Sequence, residues 1–182
     1  MGGRQVSPIQ SGKYPGFIVV MGAAGTGKSE IGRRLAGLLD CAFIEADDLH
    51  SPENVERMRN GHPLTDELRL PWLNSVCDSA LAIDESPVVI ACSVLKRSYR
   101  ELFRERLPGV RFLFLNGAPE LISARLEARE GHFATGSLLK SQLATLEVPG
   151  GLEEAIWLGI TLPPDLIAER AAVELLDPAH ST

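Results

Sequence analysis

The sequence predicts an α/β fold with three layers: a five-stranded parallel sheet, helices on both of its faces, and a mobile lid. Two observations predict it. Short apolar runs alternate with amphipathic stretches along the 182 residues, which is the pattern of repeated strand–helix units. The first run, Phe17–Met21, is apolar without interruption, as expected for a strand buried on both faces of a parallel sheet.

Apolar runs and helical periodicity place the individual elements. The strands are predicted at Phe17–Met21, Cys41–Ile44, Val88–Cys92, Val110–Leu115 and, more weakly, Ala155–Ile160. Helices are predicted over Ile31–Leu39, Glu53–Asn60, Asp66–Ile83, Pro119–Glu130, Leu138–Leu146 and Pro163–Leu176, and a further helix follows the third strand. Ser51 and Pro52 form a good helix start, as cap and first residue.

The domain organisation follows from these elements. Residues 17–176 are expected to form a single domain, with a flexible segment at 1–16 and a frayed end at 177–182. Gly131 ends one helix, and polar breaks flank the next, so we expect a hinged lid at about 131–149. The two tryptophans, Trp72 and Trp157, are expected in the core.

Composition excludes several classes of function. Eighteen Lys and Arg against twenty-four Asp and Glu give a net charge of −6, which opposes binding to nucleic acid or an anionic membrane. Three cysteines without a C-x-x-C pair indicate buried thiols in a reducing compartment. No apolar run approaches the roughly 20 residues of a membrane span, and no signal peptide is apparent. We therefore expect a cytoplasmic protein.

A glycine-rich phosphate-binding motif lies directly between the first strand and the first helix. It fits G-x-x-x-x-G-K-[ST] and consists of Gly22, Ala23, Ala24, Gly25, Thr26, Gly27, Lys28 and Ser29. Such a loop aims successive N–H groups at a phosphate, Lys28 reaches the outer phosphates, and Ser29 ligates magnesium. The motif predicts a P-loop NTPase fold that binds a nucleoside triphosphate and Mg²⁺, and its alternative is a glycine-rich turn with an exposed lysine.

Acidic residues follow the second strand, where ligands of parallel sheets collect. Phosphoryl transfer to a hydroxyl needs a group that orients the hydroxyl and accepts its proton. We predict that Asp47 has this role and that Glu45 ligates magnesium through water. The two residues are two positions apart, so in extended backbone they would share one side. In the alternative interpretation, Asp47 or Asp48 only caps the next helix, although Ser51 makes such a cap less necessary.

Basic residues recur at four-residue spacing on two predicted helices. Lys96, Arg100 and Arg104 follow the third strand and would share one helical face, with Lys96 nearest a ligand. The alternative is a solvated surface helix whose charges are balanced by neighbouring glutamates.

Arg125 and Arg129 precede the lid. They are expected to clamp phosphates as the lid closes and to stabilise charge in the transition state. In the alternative, Glu127, Glu130 or helix carbonyls satisfy them.

Seven segments resemble one enzyme family. They are Val20–Gly22 with the loop through Ser29, Ala42–His50, Asn54–Met58, Gly61–Trp72, Cys92–Arg100, Arg125 with Arg129–Phe133, and Ser141–Pro149. The chain resembles the gluconate kinases of the small P-loop type, within the nucleoside-monophosphate-kinase-like and shikimate-kinase-like group. Arg-x-Pro-Trp at Arg69–Trp72 and Cys-Ser-x-Leu-Lys-Arg-x-Tyr-Arg at Cys92–Arg100 are specific to this family.

The resemblance implies ATP-dependent phosphorylation of D-gluconate to 6-phospho-D-gluconate, feeding the pentose phosphate pathway, with Mg²⁺ and commonly as a homodimer. By position it implies that Gly22–Ser29, Arg125 and Arg129 hold ATP, that Lys28, Asp47 and Arg129 are catalytic, and that Asp47, His50, Arg69, Lys96 and Arg100 form the acceptor pocket. Glu45 stands where the family often has Asp.

Two other functions stay open at this point. A shikimate or nucleoside monophosphate kinase shares the loop and the lid but should lack Arg69–Trp72. A nucleotide-gated binding module would hold ATP without transferring phosphate.

Overall fold

A parallel five-stranded sheet forms the centre of the computed structural model, which describes residue 14, residues 16–128 and residues 136–176. The strands are β1 (Phe17–Met21), β2 (Ala42–Glu45), β3 (Val88–Ala91), β4 (Arg111–Asn116) and β5 (Ile156–Gly159), in the spatial order β2-β3-β1-β4-β5. Each strand lies within one residue of its predicted bounds. The phosphate-binding motif therefore follows the central strand, with β3 and β4 on either side.

Helices connect the strands. They are α1 (Lys28–Leu39), α2 (Pro52–Arg59), α3 (Asp66–Leu81), α4 (Arg97–Arg106), α5 (Pro119–Glu127), α6 (Gly136–Thr145) and α7 (Pro164–Glu174), with short 3₁₀ helices at Ala46–Leu49 and Gly151–Glu153. The predicted start of α2 is confirmed, since Ser51 Oγ accepts a hydrogen bond from the Asn54 N–H (3.2 Å) and Pro52 is the first helical residue.

Apolar side chains cover both faces of the sheet. Ile18 and Val20 of β1 pack with residues of α1 and α7, whereas Val19 and Met21 of the same strand pack with residues of α3 and α4. Successive strand residues point to opposite faces, so an uninterrupted apolar strand feeds two separate cores. The predicted three-layer α/β architecture is confirmed.

The two tryptophans differ in their surroundings. Trp72 is buried on α3, as predicted. The prediction for Trp157 was wrong, because its side chain is 47% exposed. Trp157 lies on β5, the edge strand of the sheet, where burial alternates from one residue to the next. A sequence run that is apolar throughout does not distinguish an edge strand with one covered face from a central strand with two.

The three basic residues after β3, Lys96, Arg100 and Arg104, do not share one helical face as predicted. Helix α4 begins at Arg97, so Lys96 precedes it with extended backbone and does not share its face. Arg100 is fully buried, and its Nη2 donates to Glu153 Oε1 (2.8 Å). Arg104 donates to the backbone carbonyl of Glu153 (2.7 Å). The hydrogen bond from Arg100 is the main cause that lowers the pKa of Glu153 from 4.5 to about 2.

Several predictions concern segments that the structure describes only in part. The predicted flexible segment lies outside the described residues up to position 13, and Tyr14 is buried in the core. The beginning of the predicted lid, at 131–135, and the end of the chain, at 177–182, also lie outside them. In the described ranges, no helix combines the length and the apolar character that crossing a membrane requires.

Replacing Glu153 by Gln is expected to lower the free energy of unfolding by about 3 kcal/mol, because the change leaves a buried guanidinium without its counter-charge. Glu154→Gln is the matched control: this neighbouring carboxylate is 54% exposed and lies 3.8 Å from Arg111, so the loss should stay below about 1 kcal/mol. Urea unfolding followed by circular dichroism measures both. Equal losses in the two variants would contradict a stabilising role for the buried pair.

Candidate active site

The phosphate-binding loop is held open by glycines that no other residue could replace without strain. Gly22 has φ +144°, and a Cβ there would lie 2.9 Å from the Leu115 carbonyl oxygen. Gly25 has φ +84°, and its Cβ would lie 2.6 Å from Leu126 Cγ of α5. Both backbone conformations are unfavourable for residues with a side chain. The loop is thus a concave turn at the N-terminus of α1, where backbone N–H groups favour an anion.

Three hydrogen bonds hold this loop: two within the loop and one with helix α6. Thr26 Oγ1 and Lys28 Nζ both donate to the Ala23 carbonyl oxygen, at 2.8 and 3.1 Å. The Ala24 N–H donates to Oε1 of Gln142, on α6 (2.6 Å). Helix α6, which belongs to the predicted lid, therefore lies directly against the phosphate-binding loop.

Ser29 and Glu45 meet at the carboxyl edge of the sheet. Ser29 is the second residue of α1, Glu45 ends β2, and the Ser29 hydroxyl lies close enough to the Glu45 carboxylate to affect its pKa. Burial raises the pKa of Glu45, and the nearby Ser29 hydroxyl opposes that rise. Arg33 lies 3.6 Å from the same carboxylate. The two predicted magnesium ligands are thus neighbours, and a hydroxyl beside a carboxylate is a donor set that magnesium accepts.

Asp47 projects from the 3₁₀ helix that follows β2. The chain leaves the extended conformation directly after Glu45, so the two carboxylates are not related by a strand repeat as predicted. They are still close enough for Asp47 to raise the pKa of Glu45. The Asp47 side chain is 77% exposed. Because Ser51 caps α2, Asp47 has no capping role on that helix and its carboxylate is available to a ligand.

His50 and Trp72 fix the wall beside Asp47. Their rings stack at 4.0 Å, and Trp72 Nε1 donates to the Ala46 carbonyl oxygen (2.7 Å), which ties α3 to the 3₁₀ helix. His50 Nε2 lies 4.0 Å from Asp47 Oδ1. Burial lowers the pKa of His50, and its Nδ1 is buried without a hydrogen-bond partner in the described part of the chain.

An acidic residue that the sequence prediction missed organises the other side of this wall. Asp66, the first residue of α3, accepts hydrogen bonds from Lys96 Nζ (2.7 and 2.8 Å) and from the Tyr99 hydroxyl. The bonds from Lys96 and then Tyr99 lower the pKa of Asp66. Asp66 and Tyr99 both lie in segments that resemble the gluconate kinases. Their positions there were the only signal in the sequence, because neither belongs to a charge pattern.

Arg69 lies close to this cluster. Its charge acts on His50, Asp66 and Tyr99. Its Nε donates to the Leu64 carbonyl oxygen (3.3 Å), and its two terminal nitrogens make no hydrogen bond to a described residue. The two terminal nitrogens of this guanidinium are therefore available to a ligand.

Three predicted site residues remain: Arg100, Arg125 and Arg129. Arg100 does not meet a ligand as predicted, because it is buried and paired with Glu153. It also donates from Nη1 to the carbonyls of Val94 and Leu95, so it positions the loop that carries Lys96. Arg125 donates to the Ile160 carbonyl oxygen (2.6 Å). Arg129 lies outside the described residues.

The phosphate-binding motif thus lies beside a cluster of polar and charged side chains at the carboxyl edge of the sheet. Lys28, Ser29 and Asp47 all lie near the Glu45 carboxylate. Asp47 also lies near His50, and so does Arg69. No group of three or more metal-binding side chains occurs in the ranges that the structure describes. A metal here would share its coordination between Ser29 and ligand phosphates, as in other phosphoryl-transfer sites.

Comparison with known proteins shows a matching family model and closely similar relatives. A family model described as "AAA domain" matches residues 17–149. The gluconokinase of Gluconobacter oxydans is 46% identical over 164 residues, which cover 88% of this chain and 92% of the relative.

Solved structures agree with the fold. A gluconokinase from Sinorhizobium meliloti superposes with a TM-score of 0.82 at 44% identity, over 90% of this chain and 93% of the other. A shikimate kinase from Acinetobacter baumannii in complex with shikimate gives a TM-score of 0.59 at 17% identity, over 90% of this chain and 93% of the other. The second likeness shows the shared α/β fold alone.

Proposed function

The chain belongs to the gluconokinase family, and on this premise we propose that it transfers the terminal phosphoryl group of ATP to the 6-hydroxyl of D-gluconate. One observation carries the assignment of roles. The phosphate-binding loop, the carboxylate of Asp47 and the Arg69–Trp72 segment, which comes from a distant part of the sequence, meet at one edge of the sheet.

The loop and its flanking residues form the proposed ATP site. Backbone N–H groups of residues 22–29 and the Lys28 ammonium would hold the phosphates. Ser29 and Glu45 would hold Mg²⁺, Ser29 directly and Glu45 through water. When bound, the ion would neutralise charge on the phosphate oxygens. The proximity of the Ser29 hydroxyl to the Glu45 carboxylate supports this assignment, and Arg125 and Arg129 are proposed to close over the nucleotide.

Asp47 is proposed to orient the acceptor and take its proton. A bond forms between the 6-oxygen of gluconate and the γ-phosphorus, the bond from that phosphorus to the β,γ-bridging oxygen breaks, and ADP leaves with the electron pair. The hydroxyl proton passes to the Asp47 carboxylate. The high exposure of Asp47 and its freedom from helix capping support this role.

Recognition of the gluconate carboxylate is proposed for Arg69. Three cations were candidates. Arg100 is buried against Glu153, and both carboxylate oxygens of Asp66 bind Lys96. Arg69 keeps its terminal nitrogens for a ligand, and a guanidinium binds a carboxylate through two parallel hydrogen bonds. His50 and Lys96 would then contact hydroxyls of the sugar acid.

Three further properties are proposed from the family resemblance: Mg²⁺ as the metal, a homodimer as the assembly, and the cytoplasm as the location. The three cysteines are free thiols, which is compatible with a reducing compartment.

The proposed activity is tested by a coupled ADP-release assay with ATP and a panel of D-gluconate, shikimate and AMP. We expect turnover of gluconate to exceed that of either other acceptor by about 100-fold or more, because a pocket built around polar partners rejects molecules that leave them unpaired. Assays without acceptor give the background hydrolysis of ATP. Turnover with AMP alone, or with shikimate alone, would overturn the assignment.

Asp47→Asn should lower kcat by about 100-fold or more, because it removes the proton acceptor and keeps the shape of the side chain. The dissociation constant for ATP, measured by isothermal titration calorimetry, should stay within about twofold. Asp48→Asn, on an exposed neighbour in the same 3₁₀ helix, is the control and should retain wild-type kcat. A protein that only binds nucleotide would show no difference between the two variants.

Arg69→Met should raise KM for gluconate by about 10- to 100-fold, because a hydrogen bond between charged groups contributes about 1.5–3 kcal/mol. D-Glucitol, which has a hydroxymethyl group in place of the carboxylate, should be turned over equally by variant and wild type. Arg57→Met is a matched control, since Arg57 Nε also donates to a backbone carbonyl of the same loop, that of Pro63 (3.1 Å). An equal loss for gluconate and glucitol would show that Arg69 does not bind the carboxylate.

A further inference from the structure

Gln142, on α6, brings a side-chain oxygen to the backbone of the phosphate-binding loop. Its Oε1 accepts from the Ala24 N–H at 2.6 Å, across 118 positions of sequence. Within the loop, Thr26 and Lys28 both donate to the Ala23 carbonyl oxygen. An amide oxygen on this N–H stands where the motif leads one to expect an oxygen of the ligand.

Packing on one face of α6 holds Gln142 in this place. Leu139 is buried and Leu143 is partly buried, and both pack in the core that includes Ile122 and Leu126 of α5. Positions 139, 142 and 143 lie on the same helical face. The packed face of α6 therefore holds the Gln142 amide against the loop.

The segment that follows α6 is held against the loop after β3 by two hydrogen bonds. The Glu147 N–H donates to the Leu95 carbonyl oxygen (2.9 Å), and the Glu147 carboxylate accepts from the Arg97 N–H at the start of α4. Lys96 lies between these two anchor points. The short segment from Gln142, in the last turn of α6, to Glu147, just beyond it, thus contacts both the phosphate-binding loop and the loop after β3.

One N–H group forms one strong hydrogen bond, so Gln142 and a phosphate oxygen compete for Ala24. We propose that Gln142 is a determinant of nucleotide affinity: its amide oxygen takes a backbone donor of the phosphate-binding loop and must be displaced from it when the triphosphate binds. Binding of nucleotide and loss of the hydrogen bond between Gln142 and Ala24 are then linked, and each favours the other by the same factor. This inference rests on the proposed ATP site.

Gln142→Ala removes the competitor and should lower the dissociation constant of ATP about three- to tenfold, which corresponds to one ordinary hydrogen bond. Inorganic tripolyphosphate, which lacks the nucleoside, should gain by the same factor. Gln142→Glu keeps the acceptor and adds a negative charge, so it should weaken both ligands by about tenfold or more. Isothermal titration calorimetry on the full chain measures all of these constants.

Ser141→Ala is the matched control, because Ser141 is an exposed neighbour on the same helix, and its affinity for ATP should equal that of wild type. The proposal is overturned if Gln142→Ala binds ATP as wild type does or more weakly, which would make Gln142 neutral or a ligand of the bound nucleotide. It is also overturned if ATP gains affinity and tripolyphosphate does not. Failure of the wild-type chain to bind ATP would instead contradict the proposed function.

Discussion

The buried ion pair between Arg100 and Glu153 is the contact on which the loop after β3 and the segment after α6 depend. It places a guanidinium at zero exposure, satisfied by one carboxylate and by the carbonyls of Val94 and Leu95. Val94 has a positive φ of 31°, a conformation that a β-branched residue adopts only under constraint. Because Glu153 comes after the lid helix and Arg100 after β3, the pair fixes the acceptor loop and the exit of the lid relative to each other. Removing either partner would leave the other charge buried without its counter-charge, which is strongly destabilising.

The electrostatics of the cleft differ from a simple accumulation of positive charge. An acidic chain with a net charge of −6 that binds ATP and a sugar acid would be expected to gather its cations around the ligands. Instead, several of these cations are already matched by carboxylates, Lys96 by Asp66, Arg100 by Glu153 and Arg33 by Glu45. The matched pairs orient side chains, and Lys28 and Arg69 are the cations that the proposed function gives to the ligands. Net charge therefore describes the outer surface and says little about the site.

Helix α6 and the segment after it connect the two halves of the site. The phosphate side is local in sequence, since a strand, eight loop residues and a helix build it. The acceptor side is assembled from the 3₁₀ helix after β2, the first turns of α3 and the loop after β3. Gln142 contacts the first and Glu147 the second. The same short segment therefore contacts both parts of the site.

The sequence by itself determined the fold and the phosphate-binding loop, and it predicted a role for Asp47. Apolar runs and the helical period of 3.6 report burial, and eight consecutive residues carry the loop motif. Only the tertiary structure decided which cations pair with carboxylates, that Asp66 meets Lys96 and Tyr99, and that Trp157 lies on an exposed edge strand. The reason is physical: spacing along a helix tells which residues share a face, but what that face meets depends on residues far away in sequence. Arg100 finds Glu153 across 53 positions and Ala24 finds Gln142 across 118, and no local pattern encodes those distances.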